Sequence, residues 1–245
     1  ATHAAPLHAT RAPVVAAIQA GLTAAGVPAA NVIVFDRDPQ KLRAAGFAGT
    51  RAVAPDGWDA EKFYESRVVG KLIWGDLLFG REAEGFAARS HLPALLTRTI
   101  TKLINVPVLQ DNEATGIAGC LYNMSVGLVD NARRFEFPGQ NGDPDIALIY
   151  RRPEIRDKVV LHVLDGLVGG FAGGPVFRPK YSWAPATLYF SRDPVAVDTL
   201  AVAALDAQRS AAQLPLLAER ARHLETAARL QLGSPHSELV EVTVP

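Results

Sequence analysis

Residues 159–175 read VVLHVLDGLVGGFAGGP, and the rest of the fold can be predicted outward from this stretch. The apolar run from Val159 to Gly166 is typical of a strand that is buried on both faces. Asp165 interrupts this run, and glycines follow at positions 166, 169, 170, 173 and 174. We therefore predict a buried strand with Asp165 at its carboxyl end, followed by a glycine-rich loop over 166–174.

This loop is a candidate ligand site, because ligands in open α/β sheets bind beyond the carboxyl ends of the strands. Glycines let backbone N–H groups approach an anion closely. The candidate binding positions are Gly169, Gly170, Gly173 and Gly174. The spacing is not G-x-G-x-x-G and no G-K-[ST] follows, so neither the dinucleotide fingerprint nor the P-loop is present. A packed surface loop is the alternative, because many loops only connect elements.

Helical and strand patterns alternate along the chain without an internal repeat. Pro13 suits the first turn of a helix, and Asn31–Phe35 is a short apolar strand. The region 46–90 has no clear pattern and is interpreted as irregular. We predict an α/β fold with a mixed, mostly parallel central sheet and helices on both faces. Residues 13–245 are predicted to form a single domain, preceded by an extended arm at 1–12.

Charge and cysteine content narrow the classes of function. Lys plus Arg equals Asp plus Glu at 25 each, which gives no basic field for nucleic acid. The longest apolar runs fall short of the ~20 residues that span a bilayer. A single cysteine, Cys120, allows no disulfide framework and no thiolate-rich metal site. The sequence opens at Ala1 without a methionine, and we expect that an export signal has been removed.

Three other polar residues are candidates for a site. Asp198 falls on the apolar face of a predicted helix that Asp193 caps. A carboxylate buried there is either a site residue with a raised pKa or an acid with a purely structural role. Asn105 ends a strand and either faces the same edge as Asp165 or holds a turn. Arg134 either binds an anion or a partner, or is a solvated surface charge.

The histidines and the cysteine are weaker candidates. His162 lies three residues before Asp165, so the two point to opposite faces of a strand and cannot share a metal. We interpret His162 as a hydrogen-bonded core histidine. His3 and His8 can reach a common metal only if the arm folds back, and no third ligand is indicated. Cys120 lies in an apolar run and is interpreted as a small core residue.

Several blocks resemble domain-of-unknown-function family 362 in their order and spacing, from about Pro13 onward. They are Ile104–Leu109 (INVPVL), Gly116–Asn123, Arg134-Phe135, Ile155–His162 (IRDKVVLH), the Asp165 loop with Gly173-Gly174-Pro175, and Asp193–Asp198 (DPVAVD). The resemblance adds Asn123 to the candidate ligand-binding residues. Many bacterial members look like twin-arginine export substrates, which implies a periplasmic location. The name is sometimes attached to iron–sulfur proteins, but one cysteine cannot hold such a cluster.

The chain departs from the family pattern at three places. Where members often read Lys-Asp-His, Leu-Lys-Asn and Arg-Phe-His, this chain reads Gln110-Asp111-Asn112, Leu121-Tyr122-Asn123 and Arg134-Phe135-Glu136. Two lysines and two histidines are therefore replaced by groups that do not titrate near neutrality or that titrate as acids. We predict that any catalytic site of the family is lost here, and that the chain carries no cofactor or metal.

Two hypotheses follow. The first is a non-catalytic, exported accessory or structural subunit of a larger redox or photosynthetic-type assembly, which contacts a membrane only through its protein partners. The rival is a small-ligand or metal-binding enzyme that uses Asp165, Asp198, Asn105 and the glycine loop. Acids that converge in an open cleft favour the rival. A cleft that is filled by Tyr122 or covered by the arm favours the first hypothesis.

Overall fold

The computed structural model describes residues 9–47, 57–66, 88–136, 141–236 and 238–244. Its strands are β1 (Trp58–Glu65), β2 (Arg89–Pro93), β3 (Leu103–Asn105), β4 (Val108–Asn112), β5 (Gly116–Ile117), β6 (Val159–Gly170), β7 (Ser182–Trp183) and β8 (Thr187–Ser191). Its α-helices are α1 (Ala12–Ala24), α2 (Pro39–Leu42), α3 (Cys120–Asn123), α4 (Asp145–Tyr150), α5 (Pro153–Arg156), α6 (Pro194–Ala211) and α7 (Arg222–Arg229). Among these described helices, none has the length and apolar character needed to cross a membrane.

The main sheet is built on β6, the longest described strand. β3 and β4 run parallel to β6 one after the other along one edge, in the registers Asn105↔His162 and Val108↔Asp165. β7 and β8 pair antiparallel along the other edge, and β5 adds to β4. The prediction of a mixed α/β sheet is confirmed.

The sheet has a helical layer against one face, centred on α6. Asp193 caps α6 by accepting the backbone N–H of Ala196 at 2.9 Å, and Pro194 opens its first turn. Leu164 of β6 packs in a fully buried cluster with Val197 and Leu205 of this helix. A helix capped and buried in this way holds its inward-facing side chains rigidly against the strands.

The N-terminal segment lies over the opposite face. The Thr10 hydroxyl donates to the Val106 carbonyl at 2.7 Å, and α1 follows at Ala12. Of the predicted arm at 1–12, positions 1–8 lie outside the described residues, and so do His3 and His8. The predicted strand at Asn31–Phe35 is wrong, since this stretch makes only an isolated bridge at Val34.

Two further predictions need correction. β6 does not end at Asp165 but continues to Gly170, because Gly166 pairs with β8, and Gly169 and Gly170 pair with β7. A Cβ at Gly169 would overlap the Trp183 ring, so this glycine serves strand packing and not a ligand loop. The region 46–90 is not wholly irregular either, because it contains β1, which pairs antiparallel with β2.

Candidate functional site

Asp165 lies inside the sheet and is fully buried. Its Oδ2 accepts the backbone N–H of Arg11 at 2.8 Å, and its Oδ1 accepts the N–H of Leu167 at 3.1 Å. Both oxygens are therefore bonded to this chain. The N-terminal segment covers the carboxylate that the sequence placed at an open edge.

Asp198 is also fully buried, on the face of the sheet that α6 covers. Its two oxygens accept the backbone N–H groups of Cys120 at 2.6 Å and Leu121 at 2.9 Å, which begin α3. Gly119 leaves room for the carboxylate, because a Cβ there would overlap it. Burial raises the pKa of Asp198 to about 6, against the lowering effect of the two amides.

Asn105 belongs to the same side of the sheet as Asp198. Its amide nitrogen lies 3.0 Å from the Cys120 carbonyl oxygen and 2.9 Å from His162 Nδ1, and its oxygen accepts from Asn123 at 2.7 Å. The other ring nitrogen of His162 lies 3.2 Å from the Tyr150 hydroxyl. Burial lowers the pKa of His162 to about 4, which keeps the ring neutral. His162 is the hydrogen-bonded core histidine that we predicted.

Asp165 and Asp198 do not meet. Asp165 points to the opposite face of β6 from Leu164, which packs under α6, because successive side chains of a strand alternate. Asp198 itself projects from α6. The two carboxylates have no hydrogen-bond partner in common. The convergent pair of acids that the rival hypothesis requires is therefore not formed.

The end of the glycine-rich stretch binds an internal carboxylate. The N–H of Gly174 donates to Asp111 Oδ1 at 3.0 Å, and Asp111 Oδ2 lies 3.7 Å from Arg209 Nη1. Gly173 has a φ of 77°, a conformation that favours glycine, and it begins the turn. Burial raises the pKa of Asp111 to about 6.

Arg134 is buried and connects the antiparallel β1–β2 pair to the main body. Its guanidinium donates to the Ser90 hydroxyl at 2.8 Å and to the carbonyls of Ser66 at 3.0 Å and Tyr64 at 3.3 Å. Burial lowers the pKa of this arginine. Each of its terminal nitrogens already donates to the chain, so the anion clamp considered from the sequence is not formed.

A second polar cluster lies where β4 ends, and we call Asn112, Tyr122 and Glu136 the carboxyl-end cluster. The Tyr122 hydroxyl donates to Glu136 Oε1, and the Asn112 amide donates to the same oxygen at 3.5 Å. Asn112 Oδ1 accepts the N–H groups of Ala114 and Thr115. Burial and the Glu136 carboxylate raise the pKa of Tyr122 well above its ordinary value.

Comparison with known families identifies the chain. The family model described as "Domain of unknown function (DUF362)" matches residues 2–203. The chain belongs to the DUF362 family. No curated protein and no solved structure matches it.

The carboxyl-end cluster brings together three departures from the pattern that we noted for DUF362. Asn112, Tyr122 and Glu136 stand where members often carry a histidine, a lysine and a histidine, and here they bond to one another. The sequence positions are far apart, so residue patterns alone did not assign them to one site. All three positions depart from the family pattern, and this common feature could have indicated that they form one site.

Metal-binding groups are not assembled in the described part of the chain. No three His, Cys, Asp or Glu side chains lie together there in a way that could hold a metal ion. Cys120 is fully buried in the core, and burial raises the pKa of its thiol well above the ordinary value. One thiol of this kind does not fit the several thiolates that an iron–sulfur cluster requires.

Proposed function

We propose that this DUF362 member is a non-catalytic accessory or structural subunit of a larger protein assembly. The observation that carries the proposal is that the candidate acids at 165 and 198 have both oxygens bonded to backbone amides of the same chain. A catalytic carboxylate needs a free oxygen within reach of substrate. Carboxylates whose two oxygens both accept backbone N–H groups stabilise the fold instead.

The carboxyl-end cluster supports the same proposal. Tyr122 is buried and has a strongly raised pKa, so its phenol keeps its proton at neutral pH. Its hydroxyl and the Asn112 amide both bind one oxygen of Glu136. Histidine and lysine can carry protons or bind anions at such positions, whereas Asn112, Tyr122 and Glu136 form hydrogen bonds with one another.

Location and partners belong to the proposal as well. We propose that the chain is exported and works in the periplasm, and that it contacts a membrane only through a protein partner in a redox or photosynthetic-type assembly. The support is the resemblance to exported family members and the balance of 25 basic and 25 acidic residues. A balanced charge favours docking to protein over binding to nucleic acid.

Catalysis is the second candidate, and Asp111 is the observation that favours it. Asp111 is fully buried, its Oδ2 has no hydrogen bond within the part of the chain that the structure describes, and burial raises its pKa to about 6. A carboxyl group that titrates near neutrality can exchange protons with a substrate. An Asp111→Asn variant that folds and loses a ligand-dependent thermal shift would support this candidate.

The test of the proposed function is purification of the tagged chain from its native source in mild detergent and low salt, with mass spectrometry. We expect a defined protein partner at a fixed ratio. A stable monomer without a partner contradicts the proposal. A screen of metals and metabolites serves as the parallel arm, and a thermal shift that disappears in a folded Asp111→Asn variant favours the enzyme.

A further inference from the structure

A groove with a cavity volume of about 720 Å³ separates the N-terminal segment from the sheet. One wall is α1, with Val15, Ile18 and Leu22, and the opposite wall includes Ile104 and Val160 of the sheet. The apolar side chains at 32–35 also face this space and are only half buried. The two layers are therefore joined around an apolar gap instead of being packed directly together.

The volume and the walls suit a small molecule. Ligand cavities commonly measure about 300–1,000 Å³ and are lined by apolar side chains with a few oriented polar groups. Apolar surface left in contact with water is unfavourable by about 25 cal/mol per Å². A long hydrocarbon chain in the groove would remove such surface from water on both walls at once.

Arg37 supplies an oriented charge in the lining of the groove. Its Nη1 donates to the carbonyls of Val129 at 2.8 Å and Val126 at 3.2 Å, which fixes the guanidinium. Within the described residues, its Nε and Nη2 have no hydrogen bond. A guanidinium held on one side with free N–H groups on the other can bind a carboxylate through two hydrogen bonds.

The other charges of the lining leave a net positive balance. The described lining contains the charged side chains of Asp36, Arg37 and Lys102. Asp36 Oδ1 accepts the N–H of Asp38 at 2.9 Å, so this carboxylate is engaged in a local turn. One anion against two cations favours an anionic ligand head.

We propose that the groove binds a long-chain fatty acid, with the hydrocarbon chain between α1 and the sheet and the carboxylate on Arg37. The groove adjoins the carboxyl-end cluster, because the Arg37 charge acts on the pKa of Tyr122, but a lipid ligand goes beyond the proposed role as an accessory subunit. Binding of a fatty acid at this groove does not depend on whether the chain also has a protein partner.

The test uses the fluorescent fatty acid cis-parinaric acid, displaced by palmitic acid or by hexadecanol, which has the same chain length but no charge. We expect one saturable site in the wild type, and palmitic acid should displace the probe about tenfold better than hexadecanol. Arg37→Met should abolish this preference for the acid while the probe still binds. Arg43→Met, an exposed arginine outside the lining, should behave as the wild type does.

Two bulky substitutions test the position of the chain. Val160→Trp and Leu22→Trp extend into the groove from opposite walls, and both positions are partly exposed, so a larger side chain can be accommodated. Each should weaken binding of the acid and of the alcohol about equally, with circular dichroism confirming the fold. Absence of saturable binding in the wild type, an unchanged preference in Arg37→Met, or full binding in both tryptophan variants would overturn the proposal.

Discussion

The hydroxyl of Tyr122 donates a hydrogen bond to the carboxylate of Glu136 in the carboxyl-end cluster. Tyr122 belongs to α3, whereas Glu136 follows a separate 3₁₀ turn at Arg133–Phe135. Asn112 at the end of β4 donates to the same carboxylate oxygen at 3.5 Å. One oxygen atom of Glu136 thus connects three elements of the fold. The loss of stability when the Tyr122 hydrogen bond is removed therefore shows how much the carboxyl-end cluster stabilises the fold.

Removal of the phenol hydroxyl should destabilise the protein. Tyr122→Phe leaves the Glu136 oxygen with only the long Asn112 contact, and we expect a loss of about 1–2 kcal/mol in the free energy of unfolding. Urea denaturation measures it. Tyr181→Phe is the matched control, because the Tyr181 hydroxyl makes no hydrogen bond in the described structure, and its effect should stay within about 0.5 kcal/mol. Equal losses in the two variants would show that the bond contributes nothing specific.

Asp198→Ala should destabilise the start of α3. The variant leaves the buried N–H groups of Cys120 and Leu121 without acceptors, at a cost of about 2–4 kcal/mol. Asp206→Ala is the control, because Asp206 on the same helix also accepts two amides, those of Leu217 and Ala218, but in a more exposed position. A larger loss for the Asp206 variant would contradict the assignment.

The same variant should change the pH dependence of stability. The folded-state pKa of Asp198 is raised to about 6 from 3.8, so the folded protein takes up this proton before the unfolded chain does. The wild type therefore gains stability relative to Asp198→Ala as the pH falls from about 6 to about 4. Urea midpoints of both proteins across this range measure the difference, and a constant difference would refute the assigned pKa.

His223 should make the protein sensitive to acid in the opposite sense. It is fully buried on α7, neither ring nitrogen has a hydrogen bond to the described residues, and burial lowers its pKa from 6.5 to about 4. The unfolded chain binds this proton first, so the wild type loses stability as the pH falls from 6.5 toward 4. We expect His223→Leu to gain about 2 kcal/mol over the wild type between pH 7 and pH 5. The exposed His236→Leu should show no such trend.

Two glycine substitutions should have opposite signs. Gly119→Ala places a Cβ on the Asp198 carboxylate and should destabilise the protein by about 1–3 kcal/mol. Gly21 lies in α1, and a Cβ added there would meet no described atom within 4 Å apart from its chain neighbours and the backbone of its own helix, so Gly21→Ala should stabilise the protein by about 0.5–1 kcal/mol. Thermal unfolding of both variants provides the comparison. Destabilisation by Gly21→Ala would contradict the open surroundings of that position.

Local patterns predicted part of this fold well. The cap and first turn of α6 at Asp193-Pro194 follow from side-chain chemistry within a few residues, and the burial of Asp198 follows from helical spacing. The end of β6 was predicted too early, because glycine normally weakens a strand. Here the Trp183 ring and the pairing with β7 compensate for the missing side chains.

The candidate site was harder to predict, because its contacts are distant in sequence. Nothing near Asp165 indicates that the Arg11 amide, 154 positions earlier, closes over it. Tyr122 and Glu136 lie 14 positions apart, and the path of the chain after α3 brings them into contact. The pairing of β1 with β2 was missed because the strand Trp58–Glu65 lacks a clean alternation of apolar and polar residues.

If the polar groups of this chain stabilise a binding scaffold, the composition of the native complex should not depend on the charge of the carboxyl-end cluster. Wild type and Glu136→Gln, which keeps an oxygen for Tyr122 but removes the charge, are tagged and purified from the native source. We expect the same partner at the same stoichiometry for both proteins, measured by light scattering and quantitative mass spectrometry. Recovery of the wild type as a 26.2 kDa monomer without a partner would contradict it.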